Sequence, residues 1–239
     1  MTAILDPTTT PGTPTFVDLA PLDLYRDIHK GVRAALFAVV ERAGSIDPGS
    51  SAARSALAED VHRVAWLLDA HAEHEDAHCQ PAIEAHAPEL AAVIAEAHPQ
   101  LEARVAGFVA LADVVAGTDG DAARAAVHTL YLDLAAFTGD YLAHQDFEER
   151  EVMGTLVRTM PFEAVLAVHE AIVSSIPPDE MATSLSIMLP AMNVDDRTEL
   201  LGGMRAGAPA EVFAGVCALA QSVLAPADWD AVATRLVIG

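Results

Sequence analysis

Cysteine, lysine and aromatic residues are all scarce in this chain of 239 residues. Two cysteines, Cys79 and Cys217, cannot make a disulfide framework in a chain of this length, so a reduced compartment is the default. Basic residues number 13 against 35 acids, Lys30 is the only lysine, and the net charge is −22. A surface this acidic repels phosphate backbones and anionic bilayers, which argues against nucleic acid and membrane as partners. Aromatics make up 5% and hydrophobic residues 52%, with alanine and leucine abundant. That composition suits packed helices better than a sandwich or barrel. No uninterrupted apolar run reaches the ~18 residues of a membrane span. Met1 to Phe16 has no basic region leading into an apolar core, so it reads as a polar leader and not a signal peptide. The expected location is the cytoplasm.

The expected fold is all-α. Residues 1–17, rich in Thr, Pro and Gly, read as a disordered leader. Four long helices follow, at about 21–43, 51–79, 88–116 and 121–157, joined by short links such as GSIDPGSS and GTDGD. This is the pattern of an up-down four-helix bundle over 18–158. In the first helix Leu22, Tyr25, His29, Leu36 and Val40 recur at helical spacing. Pro81 is expected to end or kink the second helix, and Pro99 to kink or bulge the third. Beyond Met160 the elements shorten and several begin at a proline, giving helices at about 161–175, 178–191, 194–206, 209–224 and 227–237. This smaller C-terminal helical region, 159–239, is expected to pack on the bundle or to make a homodimer contact.

Chemistry enters through histidine and glutamate. Three of the ten histidines have a glutamate four residues on: His71/Glu75, His98/Glu102 and His144/Glu148. Chance placement of the glutamates would give fewer than one such pair. Four residues is just over one helical turn, so each pair points two metal-binding groups the same way. A lone pair of this kind is ordinarily a surface interaction of a few tenths of a kcal/mol, and a lone histidine such as His29 is ordinarily a satisfied core residue. The joint pattern differs. Each set lies on an apolar stripe of a different helix: His71 with Val64 and Leu67, His98 with Ala91, Ile94, Val105 and Val109, His144 with Leu130, Phe137 and Tyr141. Converging buried carboxylates and imidazoles need compensating charge, which metal cations supply. Imidazole and carboxylate together suit iron, manganese or zinc and leave the choice among them open. Glu75 and Glu148 would bridge two metals, with His29, His71, His98 and His144 as terminal ligands. Glu102 is a further candidate, as ligand or as support for one. His74 and His78 share the face of His71 and Glu75 and offer an alternative pair. His62 and His128 fall on the opposite faces of their helices. Tyr25, Tyr141 and Cys79 read as packing residues near the site.

The order His29, His71-Ala-Glu-His-Glu75, His98, His144-Gln-Asp-Phe-Glu148 resembles the hemerythrin family in its bacterial HHE cation-binding form. The contexts DIHKGVR, HAEHEDAHCQP and HQDFEER agree, and the resemblance covers about 18–158. It implies a non-haem di-iron site held by His29, His71, Glu75, His98, His144 and Glu148, which binds or reacts with dioxygen, peroxide or nitric oxide. Oxygen-carrying hemerythrins have a second histidine where Glu102 stands, and an aspartate in place of Glu148. The added carboxylate leans the expectation towards redox turnover, either consumption of peroxide or oxygenation of a small substrate. The alternative is an iron- or oxygen-responsive sensor whose C-terminal helices carry the output.

Overall fold

The computed structural model describes residues 20–238; the leader expected over 1–17 lies outside the described residues. Among the described residues the regular structure is all helical, in nine rods, two of which are interrupted by π turns. The first rod is α1 (Arg26–Ser45). It is started by Asp23, whose Oδ1 accepts from the backbone N–H groups of Tyr25 and Arg26, each at 3.0 Å. The second is α2 (Ser51–His74), whose first turn is capped by the Ser50 hydroxyl. It runs through a π turn (Glu75–Cys79) into α3 (Gln80–His86). The third is α4 (Pro88–Gly117), opened by a proline where no N–H is needed. The fourth is α5 (Asp121–Phe147), which passes through a second π turn (Glu148–Val152) into α6 (Met153–Thr159). Gly120 precedes α5 at φ 64°, a backbone state that favours glycine.

The interior shows how the rods run. One apolar cluster holds Leu36, Leu68, Val105 and Tyr141; the other holds Tyr25, Cys79, Ile94 and Val152. Along α1 the chain passes from the second cluster to the first, along α2 from the first to the second, along α4 back again, and along α5 out again. The four rods therefore alternate in direction. Packing of α1 on α2, α2 on α4, α4 on α5 and α5 on α1 closes the ring. On every rod the candidate ligands fall between the two clusters, so both halves of the core bracket one polar layer.

Five further helices follow: α7 (Phe162–Ser175), α8 (Pro178–Ala191), α9 (Val194–Gly207), α10 (Ala210–Val223) and α11 (Pro226–Leu236). Leu185, Leu189, Leu201, Ala220 and Val232 give them a core of their own. α8 packs along α1 and α7 against the first π turn. Close approach of α8 is possible because Gly31 has no side chain; a Cβ there would stand 3.2 Å from Met188 Cγ and 3.3 Å from Met188 Cα. Arg26 reaches Glu199 at 3.1 Å and Asp196 at 3.6 Å, and Lys30 also pairs with Asp196. The single lysine thus fastens the C-terminal helices to α1. Among the described residues no helix is long and apolar enough to cross a membrane.

Two local expectations are corrected. Pro81 does not end its helix, because the π turn just before it absorbs the break and α3 continues to His86. Pro99 lies inside an uninterrupted α4, with no bulge there. The bulges sit instead where Glu75 and Glu148 begin.

Candidate metal centre

Each π turn starts on the glutamate of a His-x-x-x-Glu pair. Glu75 accepts a bond from the N–H of Gln80, and Glu148 from that of Met153, five residues on in both cases. Such bulges shift the helical ladder by one residue and occur often at functional sites. Here they bring two successive acids, Glu75 with Asp76 and Glu148 with Glu149, into use on each rod.

Four imidazoles and two carboxylates meet in the polar layer. His29, Glu75, His71, His98 and Glu148 are all under a tenth exposed, and the side chain of His144 is 8% exposed. Two groups form, His29/His71/Glu75 and Glu75/His98/His144/Glu148, and their ligand atoms lie within 4.8 Å of one another inside each group. On one side, His29 Nε2 is 3.1 Å from His71 Nε2. Glu75 Oε1 is 3.8 Å from His29 Nε2 and 3.2 Å from His71 Nε2, and Glu148 Oε2 is 3.5 Å from His29 Nε2. On the other side, Glu148 Oε1 is 3.1 Å from His144 Nε2 and 3.8 Å from His98 Nε2, and Glu75 Oε2 is 3.7 Å from His98 Nε2. Each carboxylate is therefore split, with one oxygen to the His29/His71 half and the other to the His98/His144 half.

The outer nitrogens are held as well. His29 Nδ1 bonds Glu149 Oε1 at 3.0 Å, and Arg33 donates to the same oxygen at 2.7 Å. His98 Nδ1 bonds Asp76 Oδ1 at 2.7 Å. A carboxylate accepting at Nδ1 keeps the proton there and turns the Nε2 lone pair inward, an arrangement common around bound metals.

As bare side chains these groups are poorly matched. Burial lowers the basicity of His29, but the hydrogen bond to Glu149 and the nearby carboxylates of Glu75 and Glu148 outweigh it and raise the ring to about 9. His98 is likewise raised to about 9 against the effect of burial, chiefly by Glu148, Glu75 and Asp76. His71 is lowered well below the usual value, by burial and then by the charge of His29. Burial and the charge of Glu148 push Glu75 up to about 7. Burial also pushes Glu148 up, but the neighbouring imidazoles of His144 and His98 overcome it and hold the group below the ordinary carboxylate range. Glu75 Oε1, Glu148 Oε2 and His98 Nε2 are buried with no hydrogen-bond partner. Unpartnered buried lone pairs cost ~1–3 kcal/mol each, more for charged groups. Two donors about 2.1 Å from one ion stand roughly 3.0–3.4 Å apart, close to the separations seen here. The donor set and its orphaned atoms fit a cation in each half.

Beside the His98/His144 half lies a cavity of about 20 Å³, lined by both rings, by Tyr141 and by apolar side chains of α2 and α4. It takes roughly one water-sized molecule. Asp69 and Glu102, both exposed, form part of its lining. Glu102 thus stands at the edge of this cavity, outside the two converging groups. His74 and His78 also stand apart: His74 Nε2 is 2.6 Å from Glu180 Oε1, and His78 Nε2 is 3.0 Å from the Ser175 hydroxyl. His62 and His128 are exposed as expected, and Tyr25 and Cys79 are packed in the core. Asp76 and Glu149 were not singled out by sequence reasoning. The signal was an acid directly after each ligand-like glutamate.

A family model described as the hemerythrin HHE cation binding domain matches residues 20–156. No curated protein and no solved structure matches the chain significantly.

Proposed function

The chain belongs to the hemerythrin HHE family, and on that premise we propose that His29, His71, Glu75, His98, His144 and Glu148 hold two iron ions for binding or reacting with dioxygen, peroxide or nitric oxide. The observation that carries this reading is the split of both carboxylates. Glu75 and Glu148 each turn one oxygen to His29/His71 and the other to His98/His144. Bound iron supplies one-electron redox chemistry and an open position for a small ligand. The chain's own part is to bind, orient and exclude water. Glu149 and Asp76 fix His29 and His98 from behind. The apolar clusters on both sides keep the layer dry, which strengthens every charge interaction inside it. Tyr141, 5% exposed and facing the cavity, offers the one hydroxyl there. The experiment is metal analysis of purified protein with its optical spectrum under nitrogen, air and peroxide. Two irons per chain and a spectrum that changes between gases support the reading. Stoichiometric zinc, or a spectrum indifferent to all three, overturns it.

A second reading, a sensor, is favoured by what flanks His29. Arg26, Lys30 and Gly31 hold α8 and α9, and His74, next to Glu75, bonds Glu180 at the start of α8. Metal occupancy would then set how residues 159–239 sit on the bundle of 18–158. Limited proteolysis of the C-terminal helices should change with iron or oxygen; an identical cleavage pattern in all states removes this reading. Sizing in solution tests the associated homodimer through these helices.

A further inference from the structure

The cavity beside His98 and His144 has a one-sided charge. Its inner wall is the two imidazoles and Tyr141, and its other walls are apolar apart from Asp69 and Glu102. No lysine or arginine lines it. Asp69 and Glu102 are close enough that the charge of Glu102 raises the Asp69 carboxyl, after the larger effect of burial, in a protein of net charge −22. His98 and His144 both line this space and both belong to the converging group with Glu75 and Glu148, so the cavity abuts that half of the site. Two neighbouring carboxylates on the exposed side of a cleft with apolar walls focus a negative field across it.

We propose that Asp69 and Glu102 form a charge filter at the mouth of this cavity, which admits neutral small molecules to the His98/His144 half and holds back anions. The inference rests on the small-ligand reading above and adds selectivity to it. The filter explains why the position one turn after His98 carries a carboxylate that takes no part in the converging groups. It would separate neutral small ligands from anions that compete for the same position.

The test uses the full chain loaded with iron, with azide on the oxidised protein as the anionic probe and nitric oxide on the reduced protein as the neutral one. Affinities are measured for the wild type and for the Asp69→Asn/Glu102→Gln variant, at low and at high salt. The filter predicts azide binding on the order of tenfold tighter in the variant at low ionic strength, from removal of two nearby charges. The gap should shrink at about 1 M salt, where the Debye length falls to ~3 Å, and nitric oxide affinity should stay within about twofold. Both side chains are exposed, so thermal unfolding should be unchanged and serves as the folding control. Equal azide affinity in the two proteins, or an equal gain for both probes, overturns the filter while leaving the small-ligand reading in place. Failure of either protein to bind any probe, with iron present, overturns that reading and the filter with it.

Discussion

Glu75 and Glu148 do the same work at equivalent places, yet their bare acidities are driven apart because each feels the other's charge in a buried layer. Removing one shared carboxylate should affect both halves at once. Glu148→Ala is expected to lower bound iron from two per chain to below one, whereas Glu102→Ala should leave two, as read by metal analysis. The supporting acids should act more gently. Asp76→Asn and Glu149→Gln each remove an acceptor at an outer imidazole nitrogen, and each is expected to weaken metal affinity by about 10–100-fold, measurable by competition with a chelator. The converging residues themselves were legible in the sequence because a four-residue spacing on a helix leaves few structural alternatives. Asp76 and Glu149 were not, because they work across to other rods, and adjacent positions on an ideal α-helix point about 100° apart. The π turns change that geometry, and no residue preference announces them.

At the scale of elements, helix positions followed from periodicity and from proline. The five C-terminal helices lie within a residue or two of their expected bounds: Pro161, Pro178, Pro209 and Pro226 mark the starts of four, and Asn193 caps the fifth. Pro99 stands inside a continuous α4 with no bulge, since a proline inside a long helix can be carried when neighbouring rods pack it. Pro81 was half informative, marking a disturbance that lies a few residues before it. At the far end of the bundle, Arg54 is 1% exposed and ties three segments together. It donates to Val115 O at 3.1 Å, Pro48 O at 2.8 Å and Asp119 Oδ1 at 2.6 Å. Arg54→Ala strips one loop carbonyl and one carbonyl in the last turn of α4 of their donor and leaves a void, so a loss of about 2–4 kcal/mol is expected in chemical denaturation, with metal content unchanged once folded. Gly31→Val should act on another joint. Its side chain would collide with Met188 backbone as well as side chain, so faster proteolysis after Thr159 is expected while the bundle keeps its iron.

For the whole molecule, one polar layer is bracketed by two apolar clusters, with a separately cored group of helices fastened to α1. The layer is costly without cations, so ligand linkage should be large. A ligand at a hundred times its dissociation constant adds ~2.7 kcal/mol of stability per site. For two sites in a chain of this size, stripping the metal is expected to lower Tm on the order of 10 °C, and restoring iron should recover it. A Tm indifferent to chelation would mean that the acids and imidazoles satisfy one another unaided. The most direct measurement of the central claim is anomalous diffraction at the iron edge from crystals of the iron-loaded protein. The account predicts two peaks in the core of each chain, one between His29 and His71 and one between His98 and His144, with Glu75 and Glu148 spanning them. A single peak, or peaks only at surface residues, would contradict it.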